Sequence, residues 1–348
     1  MKAIVCHGAQ DLRLEDQAEP VLGPSQVLVR VAYGGICGSD LHYAQHGGFG
    51  SVRIRAPITL GHEVSGTVAA VGAQVQGLVP GQRVAISPSR PCGHCEYCHS
   101  GQQNHCLNMR FYGSAMPWPH IQGAFSEQLV IEAYQAHPVR ADLSLSLAAL
   151  AEPLSVGLHA ITRAGSVLGR QVLVTGCGPI GSLLIGALRR AGARHIVAAD
   201  LSPRALQCAR DMGADQTINL RDEPEALAPF AADKGRFDVV FEASGAAPAL
   251  LAALPVLRPG GVLVAVGNGG DVSLPLSTLV AKEIELRGTF RFHAEFATAV
   301  RFLNDGLIDG RPVITAIRPL PEALAAFALA ADKQQSIKVQ IAFDPALA

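Results

Sequence analysis

Three sets of residues in this chain have the types and spacing to do chemistry. Cys92, Cys95, Cys98 and Cys106 follow the pattern C-x2-C-x2-C-x7-C. Four thiolates so spaced can wrap one tetrahedral zinc at ~2.3 Å per Zn–S bond, leaving no open position for water or substrate. Such a site is structural and clamps a loop with little core of its own. An iron–sulfur cluster is the competing reading of a cysteine run. His94, His99 and His105 in the same loop read as exposed histidines. The second set joins Gly35-Ile36-Cys37-Gly38-Ser39-Asp40-Leu41-His42 to Gly61-His62-Glu63. It offers a thiolate, a hydroxyl, two imidazoles and a carboxylate. Taken singly, a lone Cys is core and a lone His a satisfied polar group; their grouping is what suggests a site. Cys6, Cys177 and Cys208 stand apart and read as buried or incidental thiols.

The third set is Gly176-Cys177-Gly178-Pro179-Ile180-Gly181, a G-x-G-x-x-G hexapeptide between a predicted strand, Val172 to Thr175, and a predicted helix, Pro179 to Gly192. The first glycine permits the tight turn, the second lets backbone approach a pyrophosphate, and the third lets helix and strand pack closely. The helix start adds free N–H groups and positive dipole. Asp200 ends the next strand, where a carboxylate can accept bonds from ribose hydroxyls and would repel a 2′-phosphate. NAD is therefore expected over NADP, with Arg204 one turn later softening the preference.

The elements that must position these residues fall into two textures. A chain of 348 residues suggests two domains. The first 140 or so residues read as short strands broken by Gly and Pro, a small antiparallel barrel. From Gln171, strands and helices alternate. Strands at Ile196 to Ala199, Asp238 to Glu242 and Val262 to Val266, with a helix capped by Ser202 and opened by Pro203, predict a parallel sheet covered on both faces. Phe290 to Asn304 reads as helix and Lys338 to Phe343 as a strand rejoining the first domain. The expected class is α/β, with residues 1–142 and 288–348 forming one domain and 143–287 the dinucleotide-binding one. A strand near Glu285 to Phe290 could continue the sheet across a two-fold axis, giving a homodimer or homotetramer. The net charge of −1 argues against nucleic acid as a partner. The chain opens on a strand-like segment and has no long uninterrupted apolar run, so no membrane partner and a cytoplasmic location are expected.

Gly61-His62-Glu63-x-x-Gly66-x5-Gly72-x-x-Val75 resembles the signature of the zinc-containing alcohol dehydrogenases, the medium-chain dehydrogenase/reductase family. The cysteine loop and the glycine hexapeptide fall where that family has them. The resemblance implies a GroES-like β-barrel catalytic domain plus a Rossmann doubly wound parallel sheet. Ala151-Glu152-Pro153-Leu154 stands where ordinary alcohol dehydrogenases place a third zinc cysteine, and the sorbitol-dehydrogenase-like branch has glutamate there. Pro88 to Cys95, Met109 to Met116 and Arg287 to Phe292 resemble sugar-acid members of that branch. The resemblance also implies two zinc ions per subunit, one structural and one catalytic, and NAD, with NADP as the alternative. Cys37 and His62 become ligands of the catalytic zinc, with Glu63 and Glu152 as carboxylate candidates between which the sequence does not choose. Zinc would polarise a substrate hydroxyl, Ser39 would take its proton, and His42 would pass the proton to solvent while hydride moves to nicotinamide. Tyr43, His46, Phe111, His120, Arg110 and Arg291 are the pocket candidates. An acidic sugar would favour an arginine fork for its carboxylate. The expected reaction is oxidation of a secondary hydroxyl of a sugar acid. A neutral polyol or an L-threonine-type substrate is the alternative, a zinc-free reductase ranks lower, and a zinc-ribbon binding module is the rival from another class.

Overall fold

The computed structural model describes residues 1–344. Its parallel sheet contains six strands in the order Gln216–Asn219, His195–Asp200, Gln171–Thr175, Phe237–Glu242, Leu257–Ala265 and Glu285–Gly288. Numbered along the chain, this is the 3-2-1-4-5-6 order of a doubly wound sheet, whose strand ends diverge between the first and fourth strands to open a ligand crevice. Val172, Leu173 and Val174 are fully buried because helices cover both faces. The helix Pro179–Arg190 turns Leu183, Leu184, Ala187 and Leu188 inward. Ser202 caps the helix Pro203–Asp211 by accepting from the Ala205 N–H, with Pro203 in the first turn as expected.

The second main sheet is built around Gln26–Gly35, which pairs antiparallel with Glu63–Val71, Gln128–Glu132 and Lys338–Ala342. The Lys338–Ala342 strand then pairs parallel with Ile314–Pro319. The end of the described chain therefore lies beside the strand that precedes Cys37. The core here holds Ile4, Val29, Ile86, Phe125 and Ile341.

The helix Ala151–Ala164 packs against both Pro179–Arg190 and Glu295–Asn304, and an ion pair at 3.0 Å between His159 and Glu295 ties it to the latter. The segment Leu145–Ala164 is long and apolar enough to cross a bilayer, yet 61% of its most apolar window is buried inside the protein, as in a core helix. The helix expected from Phe290 starts only at Glu295. Arg291 adopts φ 54°, a left-handed conformation that no α-helix accommodates, so residues 290–294 form a separate connection.

Candidate active site

Each glycine of the hexapeptide meets the surroundings its role demands. Gly176 has φ 86°, and a Cβ on it would lie 2.5 Å from the Ser244 nitrogen, against the loop after the fourth strand. A Cβ on Gly181 would lie 1.9 Å from the Gly176 carbonyl oxygen. A Cβ on Gly178 would meet nothing within 4 Å. The third glycine thus closes helix onto strand, while the second leaves open space at the helix start, the cradle a pyrophosphate needs. Pro179 and Ile180 form the half-buried first turn. The Asp200 carboxylate accepts from the Cys177 N–H at 2.6 Å and the Ser202 N–H at 2.8 Å, which fixes it beside the loop. Arg204 is exposed on the rim of a cavity of about 330 Å³ it shares with Gln207, Pro312 and Ile337. One contributor that the sequence does not mark is Glu242. This buried carboxylate accepts from the Ser244 hydroxyl and from the N–H groups of Ser244 and Gly245, so it sets the loop against which Gly176 packs.

Cys37, His62 and Glu63 converge, with ligand atoms all within 4.8 Å of one another. Cys37 precedes the helix Gly38–His46, and Glu63 opens its strand. Asp40, fully buried, braces the two segments. Its carboxylate accepts from the Cys37 N–H and the Gly61 N–H, both at 3.0 Å, and lies 3.9 Å from His62 Nδ1. Lys338 arrives from the far strand. Its Nζ donates to Glu63 Oε1 at 2.7 Å and to the Ile36 carbonyl at 2.9 Å, and it is almost wholly buried. Burial works against the Lys338 charge, but Glu63, then Cys37, outweigh it and hold its pKa above the ordinary lysine value. Neither Asp40 nor Lys338 stands out in the sequence as a site residue. An aspartate three residues into the helix after Cys37, and a lysine in a strand flanked by apolar residues, are the available signals.

This cluster fits a metal ion on its own chemistry. Desolvation, then the Glu63 charge, pushes the Cys37 thiol up to about 11. Burial, with Glu63 and Cys37 adding to it against His62, pushes Glu152 up to about 8. Glu63 Oε2 is buried with no hydrogen-bond partner. Potential anions crowd around one lysine, and a carboxylate oxygen is left unpaired, a costly arrangement unless a cation joins it. Glu152, buried in the first turn of its helix, lies outside the tight three-residue set but within its field.

Ser39 and His42 lie one turn apart on the helix after Cys37, the first half-buried and hydrogen-bonded to Cys37, the second exposed. The His42 ring is 5.0 Å from Phe49 and 5.9 Å from His46. Burial, then the charges of His46 and Lys333, lower its pKa. The Phe111 ring lies 5.5 Å from that of His62 and carries the Arg291 guanidinium 4.2 Å above its centroid. Burial lowers the Arg291 pKa to about 10, while Tyr43 and Glu152 act in the other direction. Tyr43 is buried, and its hydroxyl accepts from the Ala115 N–H. Arg110 is exposed beside buried Phe111 in the short strand Arg110–Phe111, so side-chain alternation turns it away from His62. His120 has both ring nitrogens engaged, with the Arg55 N–H at 2.8 Å and the Pro117 carbonyl at 3.1 Å, which leaves neither for a substrate.

The four-cysteine loop is equally ready for an ion. Cys95 and Cys98 sulfurs are 3.5 Å apart and those of Cys92 and Cys98 4.0 Å. These values bracket the roughly 3.8 Å edge of a tetrahedron with ~2.3 Å Zn–S bonds. The Cys92 N–H donates to Cys106 Sγ, and backbone donation from His94 leads the causes that push Cys92 down to about 6. Donors aimed at sulfur favour thiolates.

The fold and both sites define a class. The chain belongs to the zinc-containing alcohol dehydrogenase family, in its sorbitol-dehydrogenase-like branch, and is an oxidoreductase that uses zinc and NAD(P). The family models for an alcohol dehydrogenase GroES-like domain and a zinc-binding dehydrogenase match residues 23–141 and 179–305. Among particular proteins, it is 45% identical over 317 residues to L-idonate 5-dehydrogenase (NAD(P)(+)) of Escherichia coli strain K12, covering 91% of each chain. It is 37% identical to sorbitol dehydrogenase of Gallus gallus, covering 99% of this chain and 96% of that one. The crystal structure of the Escherichia coli L-idonate 5-dehydrogenase superposes with a TM-score of 0.94 at 42% identity, covering 98% of both chains.

Proposed function

We propose that this chain oxidises the C5 hydroxyl of L-idonate, or of a closely similar sugar acid, to the ketone with hydride transfer to NAD(P). One observation carries the substrate class. Arg291 is half-buried over Phe111 near the metal-ligand cluster and donates to Met116 Sδ at 3.5 Å, and none of the ion pairs found among the described residues involves it. A half-buried guanidinium without a carboxylate ion pair can take one from a ligand, and its fork suits both oxygens of a carboxylate. The resemblance to L-idonate 5-dehydrogenase supports the same reading.

When bound, zinc supplies Lewis-acid polarisation of the hydroxyl and the nicotinamide supplies the hydride acceptor. Cys37, His62 and the free Oε2 of Glu63 would hold the zinc, with Asp40 and Lys338 fixing those ligands from behind. Glu152, buried beside the cluster, would hydrogen-bond the substrate or the water next to the metal. Ser39 accepts the hydroxyl proton as it releases its own toward His42. His42 carries it to solvent, because its lowered pKa keeps the ring neutral near pH 7. The Gly176 to Gly181 turn binds the pyrophosphate, and Asp200 binds the adenosine ribose and favours NAD. Cys92, Cys95, Cys98 and Cys106 hold the structural zinc, which suits a reducing, cytoplasmic setting. The edge strand Glu285–Gly288 pairs on one side only, beside exposed Leu276, Val280 and Leu286, and is proposed to continue across a two-fold axis into a dimer.

The test compares L-idonate, D-gluconate and sorbitol as substrates of the native enzyme and of Arg291→Ala. L-idonate is expected to be preferred. Loss of a charge-assisted contact of about 1.5–3 kcal/mol should raise its KM roughly 10- to 150-fold, with little change for sorbitol. Equal losses on acid and polyol would remove the carboxylate assignment.

A further inference from the structure

The cysteine loop reaches further than its own metal. Between Cys98 and Cys106 the chain makes a short 3-10 turn, Gln103–His105. Asn104 in that turn is 7% exposed, and its Nδ2 donates to the Phe290 carbonyl at 3.0 Å, across 186 residues of sequence. His105 stacks on the Phe290 ring, with centroids 6.1 Å apart and planes at 22°. The next residue is Arg291, whose φ of 54° is rare for a side chain of its size and persists only where the surroundings impose it. The guanidinium lies 4.9 Å from the Phe290 centroid and 4.2 Å from that of Phe111.

These contacts have one geometric meaning. The Phe290 carbonyl and the Arg291 nitrogen share a peptide plane, so a bond that holds the carbonyl also holds the plane about which Arg291 φ is defined. We infer that Asn104 is a positioning residue, through which the four-cysteine loop locks the Phe290–Arg291 peptide and aims the Arg291 guanidinium across Phe111 at the substrate. Without that bond the peptide can rotate toward the ordinary negative φ, which carries the guanidinium off the Phe111 face. The loop then acts as a strut for substrate recognition as well as a stabilising clamp. This rests on the reading that Arg291 contacts substrate.

The test is a double-mutant cycle of Asn104→Ala and Arg291→Ala on the zinc-loaded enzyme, with L-idonate and sorbitol, and with zinc content measured for every variant. Asn104→Asp is run beside them as a side chain of the same shape that cannot donate as an ionised carboxylate. Asn104→Ala and Asn104→Asp are expected to raise KM for the preferred substrate roughly tenfold, with kcat changed less than about twofold and both zinc ions retained. In the Arg291→Ala background, Asn104→Ala should add almost nothing, because the group it aims is gone. The same KM factor in both backgrounds, an unchanged KM, or loss of the loop zinc with falling kcat would each overturn the inference. The reading of Arg291 fails separately, if Arg291→Ala alone leaves both substrates unaffected or weakens them equally.

Discussion

Lys338→Met should be among the most destabilising single changes near the site. The lysine Nζ is 2.7 Å from Glu63 Oε1 and 2.9 Å from the Ile36 carbonyl, and the two charged side chains are 2% and 1% exposed. Methionine matches the lysine stem in length, so packing is nearly conserved and the effect is electrostatic. In the chelator-treated protein, removing one partner of this buried pair costs about 3–5 kcal/mol because the other charge remains without compensation. The orphaned Ile36 carbonyl adds about 1 kcal/mol. Together these lower the melting temperature by on the order of 10 °C. The assay is thermal unfolding followed by far-ultraviolet circular dichroism, on zinc-loaded and chelator-treated protein. The set is the native chain, Lys338→Met, Glu63→Gln and the double variant. Glu63→Gln/Lys338→Met should recover at least about 2 kcal/mol relative to the sum of the single losses. A Lys338→Met protein that melts within about 2 °C of native, or a double variant that loses the full sum, would refute the argument that this pair is electrostatically coupled.

The glycine hexapeptide separates fold from ligand. Gly178→Ala places its methyl in open space; it should melt like the native protein but show a KM for NAD raised roughly tenfold or more, since the methyl occupies the pyrophosphate cradle. Gly181→Ala drives a methyl into the Gly176 carbonyl, so thermal unfolding and soluble yield should both suffer; normal stability would show that the strand–helix contact is looser than its geometry implies. Burial opposes the low pKa of Glu295, but bonds from His159 and from backbone N–H groups hold it at about 2, against an ordinary 4.5. Its carboxylate therefore contributes stability above the ordinary pKa, and that contribution disappears as pH falls from about 4.5 through about 2. Denaturation titrations of Glu295→Gln should show roughly 2–3 kcal/mol less stability at neutral pH and a flatter acid limb; an acid limb parallel to the native one would rule this out.

What the sequence disclosed tracks how local each interaction is. The four cysteines and the hexapeptide each lie within a short segment, and their geometry needs only the nearby turn and strand. The three glycines accordingly meet the backbone or open space that their positions implied. Tertiary partners were hidden for the opposite reason. Lys338 and Glu63 are 275 positions apart, and a lysine in a strand reads as solvent-facing until the strand is known to be interior. Gln340, on the same face and fully buried against the Ser146 carbonyl, belongs to the same pattern. Arg110 and Phe111 are adjacent in sequence, and only the two-residue strand shows that they lie on opposite sides, Phe111 buried and Arg110 exposed. The helix expected from Phe290 begins only at Glu295, because Arg291 sits in a left-handed conformation that helical periodicity in the sequence does not register.

The return of the Lys338–Ala342 strand also sets a schedule for biosynthesis. The cluster of Cys37, His62 and Glu63 is translated early, but the cation that balances Glu63 emerges only after the whole parallel sheet has been made. A nascent chain that has folded its first strands holds Glu63 beside a thiol and an imidazole without its lysine partner, so until that strand arrives only a bound cation can balance the carboxylate. The parallel sheet, whose six strands all lie between residues 171 and 288, can assemble in the meantime. The buttress of the proposed catalytic pocket is thereby deferred to the last strand, and a chain interrupted between Glu152 and Lys338 would carry every proposed zinc ligand but not the lysine that fixes Glu63.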